Sequence, residues 1–502
     1  MTNLSIHHGS FLDLSCDLLV VPQFEGTERL TGAVAQLDRA LDGALTDLLS
    51  RDGLKGKKGE KTVFPTFEKL KARKVAVIGL GARRACTTDS IRLLGGTIAK
   101  LSREAKAKKV VLSLPDMRDA QVSAEALGEG LLLGAYRFHA YHGTALKNEH
   151  RHAGASDVTI AVEDRLALKR ATAGFDRARV LAEATMLARD LVNTPSLDMT
   201  PSALAEAAKS LAVRGSGIRC VTLDKAKMEK MGMGGALAVA SGSIHPPVGI
   251  HLTYTPVQRA KKRVVVVGKA VTFDSGGLNL KPEQGMAIMK CDMAGAAAVI
   301  GLFKALAILK PAVEVHGIFL AVENMPSGSS YRPGDVVRAM NGMTIEILNT
   351  DAEGRVTLAD ALSYAVKKIK PDLMVDLATL TGATIVALGD DISAVMGNNR
   401  GVIKSILAAG KESGEDLWEL PLFQGYNEAL SSKIADMNNT GGRPAGSIKG
   451  GLFLQRFVGN TPWAHLDIAG PAYMEKETRP DQPYGGTGAG VRMLVRWVEG
   501  MG

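Results

Sequence analysis

Short apolar runs alternate with helix-patterned segments along the first 165 residues. The apolar runs at 17–22, 74–79, 109–114 and 158–162 predict β-strands. The segments 90–107 and 124–135 space their apolar residues as one buried face of a helix does. Strands that alternate with helices predict a sheet covered by helices, so we assign residues 1–165 to an N-terminal α/β domain.

The segment 166–192 is rich in Ala, Leu, Arg and Glu, and its helical spacing predicts one or two linker helices. Pro195 ends this helical region, because proline disfavours a helical conformation in the residue before it. Residues 193–502 then resume the alternation, which predicts a second α/β unit. Its predicted elements are strands at 264–267, 313–322, 344–348 and 373–377 and helices at 295–309 and 358–368.

Composition agrees with a soluble protein of two domains. The length of 502 residues is too large for one ordinary core, and 46% hydrophobic with 23% charged residues is typical of globular chains. Residues 1–10 show no secretory signal, and the apolar runs are too short to span a bilayer, so we expect a cytoplasmic protein without a membrane segment. The scattered Cys16, Cys86, Cys220 and Cys291 predict reduced thiols and argue against a cysteine-ligated zinc site.

The charge distribution raises one alternative function. The formal net charge is +9, and residues 1–170 carry 26 Lys+Arg against 20 Asp+Glu, which is +6 of that total. Such a bias could mark an anionic partner, including DNA. The basic residues lie among acidic ones, so a mildly basic, solvated surface is the simpler interpretation. DNA binding is kept as the alternative hypothesis, and a gel shift at two salt concentrations would test it.

The first candidate chemical cluster begins where a fully apolar predicted strand ends. Lys269, Asp274 and Lys281 follow Val267 within 14 residues, at the position where open α/β sheets place ligands. The two glycines after Asp274 would let backbone approach a ligand closely. Asp292, taken alone, is more simply the N-cap of the Ala-rich helix that follows it.

The second cluster is the heptapeptide 349–355, which lies between a predicted strand and a helix. In an extended segment, Asp351 and Glu353 would point their side chains the same way. Two such carboxylates repel each other unless a cation lies between them, and oxygen ligands suit Mg, Mn or Zn. Taken alone, however, an Asp-x-Glu sequence is more simply a surface turn.

Together the two clusters predict a metal site. Asp274, Asp292, Asp351 and Glu353 supply enough carboxylates for two divalent ions, which at about 3.5–4 Å apart can lower the pKa of a water and polarise a scissile carbonyl. Lys269 and Lys281 fit the same site as cations that stabilise an oxyanion. A lysine crowded by metal ions could also lose its proton and become a ligand.

At these residues the sequence closely resembles the leucyl aminopeptidase family, the two-metal cytosolic aminopeptidases. The heptapeptide 349–355 is intact, and the resemblance continues in order over about residues 190–475. Residues 1–165 match the family less clearly. The matching segments are 268–269, 272–277, 280–282, 289–293, 349–355, 376–382, 439–443 and 464–470.

The resemblance implies a role for each site residue. One metal would be bound by Asp274, Asp351 and Glu353, with the Asp351 carbonyl also contributing. The other would be bound by Asp274, Glu353, Asp292 and a neutral Lys269. Lys281 would stabilise the tetrahedral intermediate, and Arg355 would hold a bicarbonate ion as general base. The substrate α-amine would bind a metal, which would restrict cleavage to N-termini.

The resemblance also implies a specificity pocket and an assembly. Met289, Thr379 and Gly382 would line the pocket for the first side chain, with backbone contacts from Leu380. An apolar pocket discriminates between substrates whose side chains differ by one methylene by only about 1–3 kcal/mol. Leu or Met would therefore be preferred at the N-terminus, and other apolar residues would be tolerated. A macro-like N-terminal domain would precede the catalytic domain, whose mixed sheet is flanked by helices. Six chains would form a hexamer of two stacked trimers that acts on peptides.

Other suggestive residues have simpler interpretations. His139, His142, His150 and His152 lack acidic or cysteine partners at zinc-site spacing, so they are surface or packing histidines. The segment 77–81 resembles the start of a dinucleotide fingerprint, but the third glycine is missing. We expect His465 to make a structural hydrogen bond.

Overall fold

The computed structural model of the chain describes residues 2–26, 30, 32–47, 55–115, 119–144 and 154–502. It contains two compact units. The smaller comprises Met1–Glu183 and Lys476–Pro483, and the larger comprises Ala184–Glu475 and Tyr484–Gly502. The division falls inside Arg165–Asn193, which is one continuous helix. Both units combine helices with a sheet, which confirms the predicted α/β class.

The smaller unit contains a six-stranded sheet among its described residues, in the order β1-β6-β5-β2-β4-β3. Its neighbours run parallel except for the antiparallel pair β3 and β4. The strands are β1 (Asn3–His8), β2 (Cys16–Gln23), β3 (Lys61–Pro65), β4 (Ala72–Gly79), β5 (Lys109–Ser113) and β6 (Asp157–Val162). The helices are α1 (Gly32–Ala40), α2 (Thr88–Glu104), α3 (Ala120–Ala135) and α4 (Arg165–Asn193).

Local sequence explains these elements. The central strands β2 and β5 are nearly continuous apolar runs, as burial on both faces requires. Thr87 and Ser90 form a capping box at the start of α2, and the Asp119 side chain caps α3. Val34 and Leu37 of α1 pack in one core cluster with side chains of β2 and β4.

The larger unit contains a nine-stranded mixed sheet, counted over the described part of the chain. Its order is β16-β15-β18-β14-β9-β11-β8-β7, and β10 pairs with β11. Its nine strands are β7 (Ile218–Leu223), β8 (Val248–Tyr254), β9 (Arg263–Gly268), β10 (Val271–Asp274), β11 (Glu314–Asn324), β14 (Leu373–Ala378), β15 (Ser393–Gly397), β16 (Leu417–Glu419) and β18 (Trp463–Asp467). A three-stranded sheet contains β12 (Val336–Arg338), β13 (Thr344–Glu346) and β17 (Met437–Asn438), and a two-stranded sheet contains β19 (Tyr473–Met474) and β20 (Gly485–Gly486).

Helices flank this sheet, and the most apolar of them forms part of the core. The span Glu283–Leu309 is long and apolar enough to cross a membrane, yet 78% of its most apolar window is buried inside the protein, as in a core helix of a soluble protein. The helices are α5 (Pro201–Lys209), α6 (Lys225–Met231), α7 (Gly234–Ala240), α8 (Glu283–Met286), α9 (Ala294–Leu309), α10 (Glu353–Lys368), α11 (Gly382–Leu388), α12 (Arg400–Ser413), α13 (Gly446–Gln455) and α14 (Val491–Glu499).

The parallel strands β9, β11 and β14 place the predicted chemistry at one edge of the sheet. β9 pairs in parallel with both β11 and β14, and β10 runs parallel to the end of β11. Lys269 therefore follows β9 and Thr379 follows β14, while Asp274 is the last residue of β10. The carboxyl ends of parallel strands meet at one edge, where α/β sheets bind ligands.

The four cysteines are free thiols, as the sequence predicted. Two of the clustered histidines, His139 and His142, lie with their Nδ1 atoms 3.1 Å apart on the exposed surface. His150 and His152 fall outside the described residues.

Candidate metal centre

Lys269 lies at the centre of the site because the backbone packs tightly around it. A Cβ on the preceding Gly268 would lie 2.5 Å from the amide nitrogen of Ala296, so the position accepts no side chain. The Lys269 ammonium is buried, 2.7 Å from Asp292 Oδ1 and 2.8 Å from Glu353 Oε1. It also donates to the Thr379 carbonyl at 3.0 Å.

Burial by itself would lower the pKa of Lys269, but the carboxylates of Asp292, Glu353 and Asp274 outweigh it and raise the pKa above its ordinary value. Lys269 is therefore an ammonium ion in the metal-free protein. It balances carboxylates that would otherwise repel one another. Lys269 can act as a neutral metal ligand only if divalent cations replace its ammonium charge in neutralising the carboxylates.

Asp274 ends β10 and is held in one orientation. Its Oδ1 accepts hydrogen bonds from the Gly276 amide at 2.9 Å and from Asn324 Nδ2 at 2.8 Å. Its Oδ2 lies 2.9 Å from Lys281 Nζ. Gly276 has a φ of 87°, and a Cβ there would lie 3.0 Å from Asp351 Oδ1. Glycine thus allows the second cluster to approach the first.

Asp351 and Glu353 converge, although not for the predicted reason. The expected extended segment is wrong, because Asp351 lies in a turn and Glu353 is the first residue of α10. Their carboxylate oxygens and one of Asp274 nevertheless lie within 4.8 Å of one another. The helix N-terminus favours the negative charge of Glu353. Gly354 is needed beside it, because a Cβ there would lie 2.3 Å from Lys269 Cε.

Asp292 is not the N-cap of the Ala-rich helix, so that expectation is wrong. It lies within a short 3₁₀ helix, Met289–Met293, and Met293 is the cap residue of α9. Its Oδ1 accepts from Lys269 Nζ and from Thr379 Oγ1, each at 2.7 Å. The 3₁₀ turn orients this carboxylate toward Lys269 instead of toward the helix backbone.

Several buried polar atoms of the site lack a hydrogen-bond partner among the described residues. They include Asp292 Oδ2, Asp351 Oδ1 and Glu353 Oε1. Two of these oxygens nevertheless face lysines, because Lys281 Nζ lies 2.6 Å from Asp351 Oδ1 and Lys269 Nζ lies 2.8 Å from Glu353 Oε1. Unpaired buried acceptors are costly. Carboxylate oxygens that converge in this way fit divalent cations.

Burial raises the pKa values of Asp274, Asp292 and Asp351. Neighbouring carboxylates raise them further, whereas Lys269 and Lys281 lower them. A divalent cation among these carboxylates would offset their mutual repulsion and favour their ionised form. The donor set thus has the chemistry of a metal centre.

Arg355 lies one helical position beyond Gly354 and is also buried. Its Nε and Nη1 atoms lack hydrogen-bond partners among the described residues. Burial lowers the pKa of its guanidinium, while Glu353 and Asp467 oppose that effect. Unpaired guanidinium donors fit a small planar anion.

Three of the four predicted pocket residues, Thr379, Leu380 and Gly382, lie in or directly after the loop that follows β14. Leu380 N donates to Asp467 Oδ1 at 3.1 Å, and Thr379 contacts Asp292 directly. Met289 is half-buried at the start of the 3₁₀ helix that carries Asp292, and Gly382 is exposed at the start of α11. Both therefore lie three residues from a residue that contacts the Lys269 ammonium.

Sequence reasoning missed the residues that orient the ligands. Asn324, the last residue of β11, donates both to Asp274 Oδ1 and to the Thr350 carbonyl. Tyr331 also donates to that carbonyl, at 2.8 Å. Asp467 accepts from Thr381 and Thr384 as well as from Leu380 N. Two signals were available, because Asn324 lies two residues beyond the strand predicted at 313–322 and Asp467 lies within the family-like segment 464–470.

His465 makes the structural hydrogen bond expected of it. Its Nδ1 donates to Asp376 Oδ1 at 2.6 Å, and Trp463 Nε1 donates to the other oxygen of Asp376 at 2.7 Å. Burial opposes the charged imidazole, but Asp376 outweighs it and raises the pKa of His465. This buried network joins β14 to β18.

Comparison with known proteins identifies the family to which this chain belongs. Residues 186–495 match the profile of the cytosol aminopeptidase family, catalytic domain, and residues 20–144 match that family's N-terminal domain. The chain belongs to the cytosol aminopeptidase family. It is thus an aminopeptidase, a hydrolase that depends on metal.

Similar proteins span almost the whole chain. A probable cytosol aminopeptidase of Cyanothece sp. is 43% identical over 97% of this chain and 98% of that protein. One from Geobacter sulfurreducens is 42% identical over 99% of both. A tomato leucine aminopeptidase mutant superposes with a TM-score of 0.88 at 34% identity, covering 99% of this chain and 96% of that chain. The bottromycin maturation enzyme BotP in complex with Mn has a TM-score of 0.83 at 35% identity, covering 96% and 99%.

Proposed function

We propose that this cytosol aminopeptidase family member uses two divalent metal ions to release N-terminal residues, Leu foremost, from peptides in the cytoplasm. The observation that supports the proposal most directly is the convergence of Asp274, Asp351 and Glu353 within 4.8 Å beside two lysines. The buried Asp292 Oδ2, which lacks a hydrogen-bond partner among the described residues, adds to it.

The residues divide into two overlapping ligand sets. Asp274, Asp351 and Glu353, with the Asp351 carbonyl, would hold one ion. Lys269, Asp292, Asp274 and Glu353 would hold the other. Ions bound there would lower the pKa of a water and polarise the scissile carbonyl. Mn and Zn suit the set, Mg is also compatible, and the Mn complex of BotP supports Mn.

The remaining residues perform the acyl-transfer step. The Lys281 ammonium, one-fifth exposed, borders the carboxylates and would stabilise the oxyanion of the tetrahedral intermediate. The unpaired donors of Arg355 would hold a bicarbonate ion that accepts the proton of the attacking water. No protein carboxylate is left for that task in the set, because all four are occupied as ligands.

Specificity would come from the pocket beside the loop after β14. Met289, Thr379 and Gly382 would line it, and Leu380 would contact the substrate through its backbone. An apolar pocket of this kind favours Leu or Met over smaller side chains by about 1–3 kcal/mol per methylene. We further propose that the protein acts as a hexamer of two stacked trimers, following the family resemblance.

The test is hydrolysis of leucine-p-nitroanilide by the metal-stripped protein after Mn²⁺, Zn²⁺ or Mg²⁺ is added back. Asp351→Asn should abolish metal-dependent activity, and its metal content should fall. Asp390→Asn, which replaces an exposed carboxylate of the same unit, is the matched control and should keep activity. Metal-independent hydrolysis, or equal activity of both variants, would refute the two-metal proposal.

DNA binding remains the alternative hypothesis. The basic clusters at 55–61 and 106–109 in the first third of the chain motivate it. A complete lack of retention in a gel shift at low salt would remove it.

A further inference from the structure

The smaller unit contains a cavity that the aminopeptidase reaction does not use. The cavity has a volume of about 260 Å³, and its polar lining residues are Gln23, Arg83 and Ser113. Apolar side chains, among them Phe24 and Val34, form most of the remaining wall.

The sheet topology explains why a cavity forms at this place. β2 pairs in parallel with β4 on one side and with β5 on the other. The chain leaves β2 toward β4, whereas it leaves β5 toward β6 on the opposite side. The connections after β2 and β5 therefore diverge, and a crevice opens beyond the carboxyl ends of these two strands. Open α/β sheets bind ligands at such a switch point.

The cavity is lined by residues at the carboxyl ends of β2 and β5 and by residues that follow β2 and β4. Gln23 is the last residue of β2, and Ser113 is the last residue of β5. Arg83 lies in the turn after β4, and residues 32–34 begin the nine-residue helix α1. The backbone N–H groups of a helix N-terminus favour an anion.

A buried polar group points to a ligand independently of the helix. Gln23 is only 6% exposed, and its Oε1 lacks a hydrogen-bond partner among the described residues. An unpaired buried acceptor of this kind costs free energy unless a donor reaches it. A side-chain amide at the wall of a cavity can pair with the edge of a nitrogen heterocycle.

Arg83 supplies the charge. Its guanidinium carbon lies 4.5 Å from the centroid of the Phe24 ring, a stacked arrangement that fixes the orientation of the planar group. An oriented guanidinium beside a helix N-terminus suits one phosphate. The remaining wall is apolar and suits a flat ring.

We propose that this cavity binds a mononucleotide, with its phosphate at Arg83 and the start of α1 and its base against Gln23. The site is separate from the metal centre, so the proposal does not depend on the peptidase mechanism.

Isothermal titration of the full-length protein with adenosine 5′-monophosphate, adenosine and inorganic phosphate tests the proposal. The monophosphate should bind at least about tenfold more tightly than either fragment, because both ends of the site contribute. Arg83→Gln should weaken the monophosphate by about tenfold or more without changing the affinity for adenosine. Gln23→Leu should weaken both the monophosphate and adenosine.

Arg84→Gln is the matched control, because Arg84 is the exposed neighbour of Arg83 and does not line the cavity. It should bind the monophosphate as the wild type does. Circular dichroism and thermal unfolding of each variant verify that the unit is folded. The proposal is overturned if the folded wild-type protein binds no monophosphate at millimolar concentration, or if the two arginine variants behave alike.

Discussion

His251 and His316 form a polar cluster inside the larger unit, and this cluster makes stability depend on pH. His251 Nε2 and His316 Nδ1 are 2.9 Å apart, and His251 Nδ1 is 3.1 Å from the Tyr364 hydroxyl. His316 also contacts Glu314 at 2.9 Å, which in turn pairs with Arg263. Burial, together with the nearby His316 and Arg219, lowers the pKa of His251 from 6.5 to about 4, and burial is the largest cause.

The sign and size of the effect follow from that pKa. The unfolded chain takes up a proton near pH 6.5, whereas folded His251 resists protonation until about pH 4. The contribution to stability is therefore complete above pH 6.5 and is lost as the pH falls toward 4. A pKa difference of about 2.5, at about 1.36 kcal/mol per unit, limits the loss to about 3.4 kcal/mol. Between pH 7.5 and 5 the loss is about 2 kcal/mol. Burial also lowers the pKa of His316, which adds a loss of the same sign.

The assay is urea unfolding followed by tryptophan fluorescence from pH 7.5 to 4.5. Trp418, Trp463 and Trp497 are the three tryptophans of the chain, and all lie in the larger unit, so the signal reports that unit. His251→Gln replaces the imidazole ring with a side-chain amide, which can form hydrogen bonds but does not titrate. The stability of the wild type relative to this variant should decline by about 2 kcal/mol between pH 7.5 and 5. His245→Gln, outside the cluster, is the control. A wild-type-minus-variant difference that stays flat across this range would refute the reasoning.

Three further predictions concern the metal centre. Gly354→Ala should reduce kcat/KM by about 100-fold or more, because a Cβ 2.3 Å from Lys269 Cε displaces that side chain. Gly328→Ala is the control, because a Cβ there meets no atom within 4 Å. Wild-type activity of Gly354→Ala would contradict the tight contact. Lys281→Met should lower kcat by about 10²–10³ with metal content retained, as loss of an oxyanion contact requires; a change confined to KM would show that Lys281 binds the ground state only. Asp467→Asn should raise KM for leucine-p-nitroanilide, because Leu380 N and the hydroxyls of Thr381 and Thr384 lose their carboxylate acceptor. Kinetics indistinguishable from those of Asp390→Asn would argue against a role of Asp467 in shaping the substrate pocket.

The sequence predicted well where a local pattern reflects burial. The apolar runs at 264–267 and 373–377 became β9 and β14, because strands covered on both faces must be apolar throughout. The helix predicted at 295–309 became α9, because its apolar residues are buried in the core. Strands such as β7, with exposed Arg219 on a sheet edge, carry a weaker pattern and were missed. The start of α10 was placed five residues too late, because the metal-site heptapeptide hides the helix signal at Glu353.

The sequence by itself determined which residue types could carry the chemistry. The cluster 268–292 brings carboxylates and lysines close together along the chain, and the cluster 349–355 brings two carboxylates beside an arginine. The tertiary structure decided how those clusters meet. Asn324 reaches Asp274 from 50 residues away, and Asp467 anchors Leu380 from 87 residues away. Such contacts depend on the order of β9, β11, β14 and β18 in the sheet, and strand order is set by long-range packing that no local pattern records.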